Sequence, residues 1–333
     1  MKKALSIITG LSLILIFACA AHAKNFVLKH SSITTAKDPW GQSIIEAAKK
    51  IEKTTNGTVK LKLYMGGSLG AGNDVIRQVA RGRIDMGGFT VQSAAVYVPE
   101  LSVLQAPFLF DSAGERDCVL DNHIGPLLDE MFIKKGLKLL QYSYAGTNQL
   151  SSKKPIITPS DIKNVKFRAS NGKHSIFFLK SVGAQAVPLP WSDTAAALQT
   201  GMVKGTEVSP PSYFFLGYVK LTPHYTLTSH IWNPGFYLIN LRTWNKMSSS
   251  QQNAMVSSLE PAASFRKKIR GMEAYLIGKY QKEGGPVHRL TAEQKQQWKD
   301  MVQPHYGKLV DEVGGRSQEF WNLIQKGKVS CSK

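Results

Sequence analysis

The order of periodic segments in this chain predicts an α/β fold of two lobes, with mostly parallel central sheets and long helices wrapping both. Three observations carry the prediction. Strand-like and helix-like runs alternate in the first hundred residues, they alternate again between Val165 and Val208, and the chain turns helical after Asn240. Phe26 to His30 reads as a first strand. Ile44, Ile45, Ala48 and Ile51 fall at helical spacing within Trp40 to Thr54, and Asn56-Gly57 stops that helix. Val59, Leu61 and Leu63 alternate with Lys60 and Lys62, as in a strand with one wet face. A glycine-rich turn, Gly66 to Gly72, leads into a helix from Asn73 to Arg81, and Ile84 to Gly87 follows as a strand. In the second half, Val165 to Arg168 is a strand, His174 to Val182 a helix and Ala186 to Pro188 a short strand. Ser192 is placed to cap a helix from Asp193 to Thr200, Gly201 ends it, and Gly205 to Val208 is the next strand. The expected division is 24–150 for the first lobe, 151–240 for the second and 241–333 for a helical region spanning both, with the boundary near Gly146 to Ile157.

The first 23 residues read as a leader rather than as fold. Lys2 and Lys3 precede a mostly apolar stretch, and Ala21-His22-Ala23 is a small-x-small cleavage site, so cleavage is expected after Ala23. Cys19, in I-F-A-C, leaves a lipid-anchored alternative open. Removal of the leader leaves 310 of the 333 residues, ample for two lobes with a core each. The formal charge is +19, or +17 without Lys2 and Lys3. An exported chain with its lysines dispersed does not read as a nucleic-acid binder; the charge suits a solvated basic surface or the steering of anionic solutes. Cys118 and Cys331 remain after cleavage, and sequence leaves their pairing open.

Catalytic and metal signatures are missing from the sequence. There is no H-E-x-x-H, phosphate-binding glycine loop or Cys-x-x-Cys, and the eight histidines are scattered. Neither a cofactor nor a metal is expected. The informative stretch is Val165 to Val208. Arg168 ends a short strand and opens a polar turn, and Trp191 follows another strand just before a helix. A guanidinium offers a planar, permanently charged fork for a carboxylate, and an indole offers an apolar wall.

Several blocks extend this signal: Y-M-G-G-S-L-G (Tyr64 to Gly70), V-I-R-Q-V-A-R-G-R-I-D-M-G (Val75 to Gly87), P-E-L-S-V-L-Q-A-P-F-L-F (Pro99 to Phe110), G-L-K-L-L (Gly136 to Leu140), D-I-K-N-V-K-F-R (Asp161 to Arg168) and A-L-Q-T-G-M-V-K-G-T-E (Ala197 to Glu207). In these, and in their order, the chain resembles the solute-binding proteins of TRAP transporters, the DctP type. The resemblance implies a periplasmic, type II-like two-lobed binding protein, expected as a monomer, that closes on a small carboxylate and docks on membrane permease subunits. It places the ligand carboxylate on Arg168 and an aromatic wall at Trp191. It also implies that Asn148 stands where some relatives carry a second arginine, and Val208 where sugar-acid binders carry a polar residue. Lys204 replaces the family's usual Asp. The expected ligand is therefore a monocarboxylate with a partly apolar body, a small dicarboxylate being second.

Further candidates lie on turns. Asn171 can present its amide to the same carboxylate or simply shape an Asn-Gly turn. Glu207 can accept from a ligand hydroxyl or pair with Arg168. Trp40, Phe89, Thr90, Tyr213 and Trp232 are pocket candidates that serve equally well as core residues. A ligand-sensing subunit of a signalling system fits the same scaffold, and an exported hydrolase is the remaining alternative.

Overall fold

A computed structural model describes residues 24–170 and 172–332. Nine strands form one mixed sheet: β1 (Phe26–Ser31), β2 (Val59–Tyr64), β3 (Met86–Thr90), β4 (Leu137–Ser152), β5 (Lys166–Ala169), β6 (Gln185–Pro188), β7 (Gly205–Val208), β8 (His224–Asn240) and β9 (Val287–Arg289). Their order is β2-β1-β3-β8-β4-β7-β5-β6, with β9 on β8. The two-lobed α/β architecture expected from the sequence is present. At one end β1 runs parallel to β2 and β3; at the other β5 runs parallel to β6 and β7. The middle differs from expectation. β4 and β8 are long and antiparallel to each other, β8 also antiparallel to β3 and β4 to β7. β8 pairs β3 through its second half, Gly235 to Ile239, and β9 through its first, Tyr225 to Leu227. The two strands therefore belong to both ends of the sheet.

Local chemistry explains the elements. Asp38 caps the helix Pro39–Thr54 by accepting from the Gly41 N–H at 2.8 Å, and Pro39 enters the helix where no N–H is needed. Its buried face, Ile44, Ala47 and Ile51, joins Phe26, Leu28 and Val59 in one apolar cluster. Each such isoleucine contributes about 1.5–3 kcal/mol through burial. Helix Gly72–Arg81 and helix Lys173–Ser181 lie within a residue of expectation, while β3 starts two residues later than the strand read at Ile84. The cap assigned to Ser192 is not used. Trp191–Asp193 forms a single 3₁₀ turn, the helix Thr194–Gln199 begins after it, and Ser192 Oγ donates to Asp193 Oδ1 at 2.9 Å.

Three register shifts interrupt β4 and β8, one of them between Tyr144 and Thr147, where Gly146 adopts φ of +102°. A bulge strands backbone donors, and here a side chain answers. Glu273, from the helix Ala262–Lys282, accepts from the Thr147 N–H and from the Tyr144 hydroxyl, both at 2.9 Å. Burial pushes its carboxyl up to about 7. The Arg116 guanidinium covers the same region, 4.5 Å from the Tyr144 ring centre and 5.1 Å from that of Trp232.

Cys118 and Cys331 are joined by a disulfide, with Cα atoms 5.9 Å apart and 213 residues apart in sequence. It ties the last helix, Ser317–Cys331, to the helix Ala113–Asn122. A Cys118→Ser, Cys331→Ser double variant is expected to unfold about 2–4 kcal/mol more easily, read from the urea midpoint; an unchanged midpoint would show the bridge contributes nothing.

Candidate functional site

Arg168, Trp191 and Glu207 come together because β5, β6 and β7 are parallel neighbours whose carboxyl ends face one crevice, the usual ligand position in open α/β sheets. Arg168 is the third residue of β5, opposite Val187 of β6. Trp191 follows β6 after Leu189-Pro190, and Glu207 is the third residue of β7. Asn148 enters from β4 and Thr90 from the end of β3. All five line a cavity of about 770 Å³.

Arg168 is buried, and its Nε and Nη2 both donate to the Leu189 carbonyl, at 3.1 and 2.8 Å. Its Nη1 has no partner among the described residues. The guanidinium lies 5.2 Å from the Trp191 ring centre. Burial lowers the arginine pKa and the Glu207 charge opposes the shift, so the group remains a cation. Trp191 is 39% exposed and stacks on Tyr218 with ring centres 5.0 Å apart. An indole so exposed, stacked from one side only by Tyr218 and topped by a cation, is a wall of the cavity and not a piece of core.

Glu207 does not pair with Arg168 directly. Its Oε2 accepts from Ser175 Oγ, and its Oε1 meets His230 Nε2 at 2.9 Å. His230 is held in turn by Thr228 at 2.6 Å and by stacking on Phe178, 4.3 Å between ring centres. Asn148 Oδ1 accepts from Asn233 Nδ2 at 2.9 Å, and Gln105 Nε2 donates to Asn233 Oδ1 at 2.9 Å. This amide relay turns the Asn148 NH₂ away from Asn233, and that group has no partner among the described residues. Thr90 lines the cavity and also caps a short helix, Oγ1 accepting from the Ser93 N–H at 3.3 Å.

The other sequence candidates divide. Trp40 and Phe89 line an adjoining cavity of about 470 Å³, although Trp40 Nε1 is committed to the Tyr144 carbonyl at 2.8 Å. Tyr213 lies outside both cavities. It is fully buried, stacked on Tyr225 at 4.2 Å, with its hydroxyl donating to the Thr222 and Pro223 carbonyls. Trp232 is also outside them, beside Tyr144 and under Arg116. Asn171 lies outside the described residues.

Sequence reasoning missed Lys173, His174, Gln105 and Asn233, all of which line the larger cavity. Lys173 is a second cation there, its amine donating to the Glu312 carbonyl. Burial lowers His174 to about 4, against the pull of Glu207, so it is neutral at ordinary pH. The cavity is thus richer in amides and hydroxyls than the Val208, Asn148 and Trp191 pattern implied.

A family model described as bacterial extracellular solute-binding protein, family 7 (DctP) matches residues 30–312. A solute-binding protein of Chromohalobacter salexigens is 26% identical over 277 residues, 82% of each chain. The 2,3-diketo-L-gulonate-binding periplasmic protein YiaO of Escherichia coli is 30% identical over 244 residues, 72% of this chain and 74% of that one. Among solved structures, a TRAP periplasmic solute-binding protein from Ochrobactrum anthropi superposes with a TM-score of 0.84 at 24% identity, covering 92% of this chain and 97% of that one.

Proposed function

This chain belongs to bacterial extracellular solute-binding protein family 7, the DctP family, and we propose that it captures a small organic acid on Arg168 between its lobes and hands it to the permease of a TRAP transporter. The observation that carries the reading is the buried Arg168 fork, Nε and Nη2 fixed on the Leu189 carbonyl and Nη1 without a partner among the described residues, above an exposed indole. The E. coli relative, named for an acid anion, supports the same ligand class. Proteins of this family are periplasmic, and cleavage after Ala23 would release this one there. Among the described residues no helix is long and apolar enough to cross a membrane. The protein acts as a monomer, without a cofactor, by binding rather than by turnover.

Asn148, through its NH₂, gives the carboxylate or a neighbouring oxygen a second donor, and Thr90 contacts the ligand from the other lobe. Because contacts come from both sides, the closed form binds better, and ligand shifts the open–closed balance by that difference. A thermal-shift screen over mono- and dicarboxylates and sugar acids tests the class. A ligand at a hundredfold excess over its dissociation constant adds about 2.7 kcal/mol to folding, well within detection. A screen in which no acid shifts the transition would refute the reading. With a confirmed ligand, Trp191→Ala is expected to bind about 1–3 kcal/mol more weakly, and Trp191→Phe to keep binding while losing most of the tryptophan emission change. Equal affinity of Trp191→Ala and the parent by titration would remove Trp191 from the site.

A further inference from the structure

We propose that the cleft selects a monocarboxylate whose apolar body enters the second cavity and whose far end carries a hydroxyl or carbonyl that hydrogen-bonds His30. The inference rests on the reading of Arg168 as the carboxylate site. The second cavity, about 470 Å³, shares Ile33, Thr90, Ala145, Trp191 and Ser212 with the first, so one ligand can occupy both. Its walls are largely apolar: Ile44, Phe89, Pro211 and Tyr237, with Phe215 and Leu216 at the rim. Those last two are 62% and 59% exposed. Large apolar side chains left in water beside a cleft mark a surface that an apolar partner covers.

The polar groups of this chamber are mostly committed. Trp40 Nε1 donates to the Tyr144 carbonyl, and Ser32 Oγ and Thr34 Oγ1 bond each other at 2.6 Å. Both Asp38 oxygens accept backbone donors, from Gly41 at 2.8 Å and Thr35 at 2.6 Å. The Ser143 and Tyr237 hydroxyls have no partner among the described residues, and neither does His30, the one of the three whose polar atoms are wholly enclosed. It is fully buried on β1, lines the chamber, and neither ring nitrogen has a partner. A buried polar side chain without a partner calls for an explanation, and a ligand group supplies one. Burial lowers its pKa to about 4, so the ring is neutral, with one donor and one acceptor to offer. Asp38 is the only acidic or basic residue besides His30 among those lining the chamber. A second carboxylate there would meet a negative charge and no cation, which favours a monocarboxylate with an uncharged far end.

The test is calorimetry with four probes: acetate, D-glucuronate, 3-phenylpropanoate and 3-(4-hydroxyphenyl)propanoate. The native protein is expected to bind both aryl acids at least about tenfold more tightly than acetate or D-glucuronate, and the hydroxylated one about tenfold more tightly than its parent. In His30→Leu the hydroxyl advantage should vanish, bringing that ratio near one. Phe215→Asp, at the exposed rim, guards against misfolding of the buried variant and should cut the aryl-to-acetate ratio about tenfold. Equal binding of acetate or D-glucuronate and the aryl acids, or a hydroxyl ratio unchanged in a folded His30→Leu, overturns the chamber inference while leaving the carboxylate reading intact. Binding of the aryl acids that persists undiminished in Arg168→Ala overturns the carboxylate reading itself.

Discussion

Arg168→Ala is expected to cost about 2–5 kcal/mol of ligand binding, a loss of roughly thirtyfold to several thousandfold. The buried guanidinium makes two bonds to one carbonyl and stacks over Trp191, so its position is set before any ligand arrives. Truncation removes the charge and leaves the ligand carboxylate desolvated without a partner. Arg168→Lys is expected to weaken binding as well, because a single ammonium cannot hold Leu189 and present a planar fork together. Calorimetry on both variants checks this; unchanged affinity in both would remove Arg168 from the site.

Folding stability is expected to fall by about 2 kcal/mol between pH 7 and pH 4.5, as the balance of opposing titrations. His30 and His174 are each held near 4 by burial, against 6.5 when unfolded. A depressed folded-state pKa means the unfolded chain takes up the proton first, so their contribution is full above 6.5 and is lost as the pH drops toward 4. Each contributes on the order of 2–3 kcal/mol to that loss. Glu273 acts in the other direction. Its folded value of about 7 exceeds the usual 4.5, so its protonated form favours folding as the pH falls through 7. It offsets a comparable amount, on the order of 2–3 kcal/mol. Glu273→Gln keeps an acceptor for the Thr147 N–H but no longer titrates, so its pH-dependent loss should steepen to about 5 kcal/mol. Urea unfolding at several pH values decides the matter: parallel profiles for parent and variant would mean that Glu273 is not perturbed.

The short outer elements were legible because each obeys one period and has a stop. Ile44, Ile45, Ala48 and Ile51 repeat at helical spacing with Asn56-Gly57 as the stop, and Val59 to Leu63 alternate cleanly. The central strands were not. β8 contains Pro234-Gly235, which ordinarily argues against a strand interior, and its register against β4 slips three times, so no steady alternation survives. Within the site, Arg168 and Trp191 stood out because strand ends that open into polar turns are few. The Gln105–Asn233–Asn148 relay did not, since its members come from three segments far apart in sequence and amides carry no spacing signal. His30 was hidden for a different reason: in a strand with alternating burial, a histidine on the inner face looks the same whether or not its nitrogens are satisfied. Tyr213 and Trp232 read equally well on sequence as pocket or as core. Tyr213 is stable in the interior because two carbonyls receive its hydroxyl, an arrangement that requires the fold to be known.

The Cys118–Cys331 bridge turns most of the chain into a covalently closed ring. Asn148, Arg168, Trp191 and Glu207 all lie on that ring. A protease that nicks a surface loop anywhere between the two cysteines opens the ring into a single branched strand but releases no fragment. Such a nicked chain keeps its severed ends at a high effective concentration, so the segments carrying these four residues stay tethered to one another.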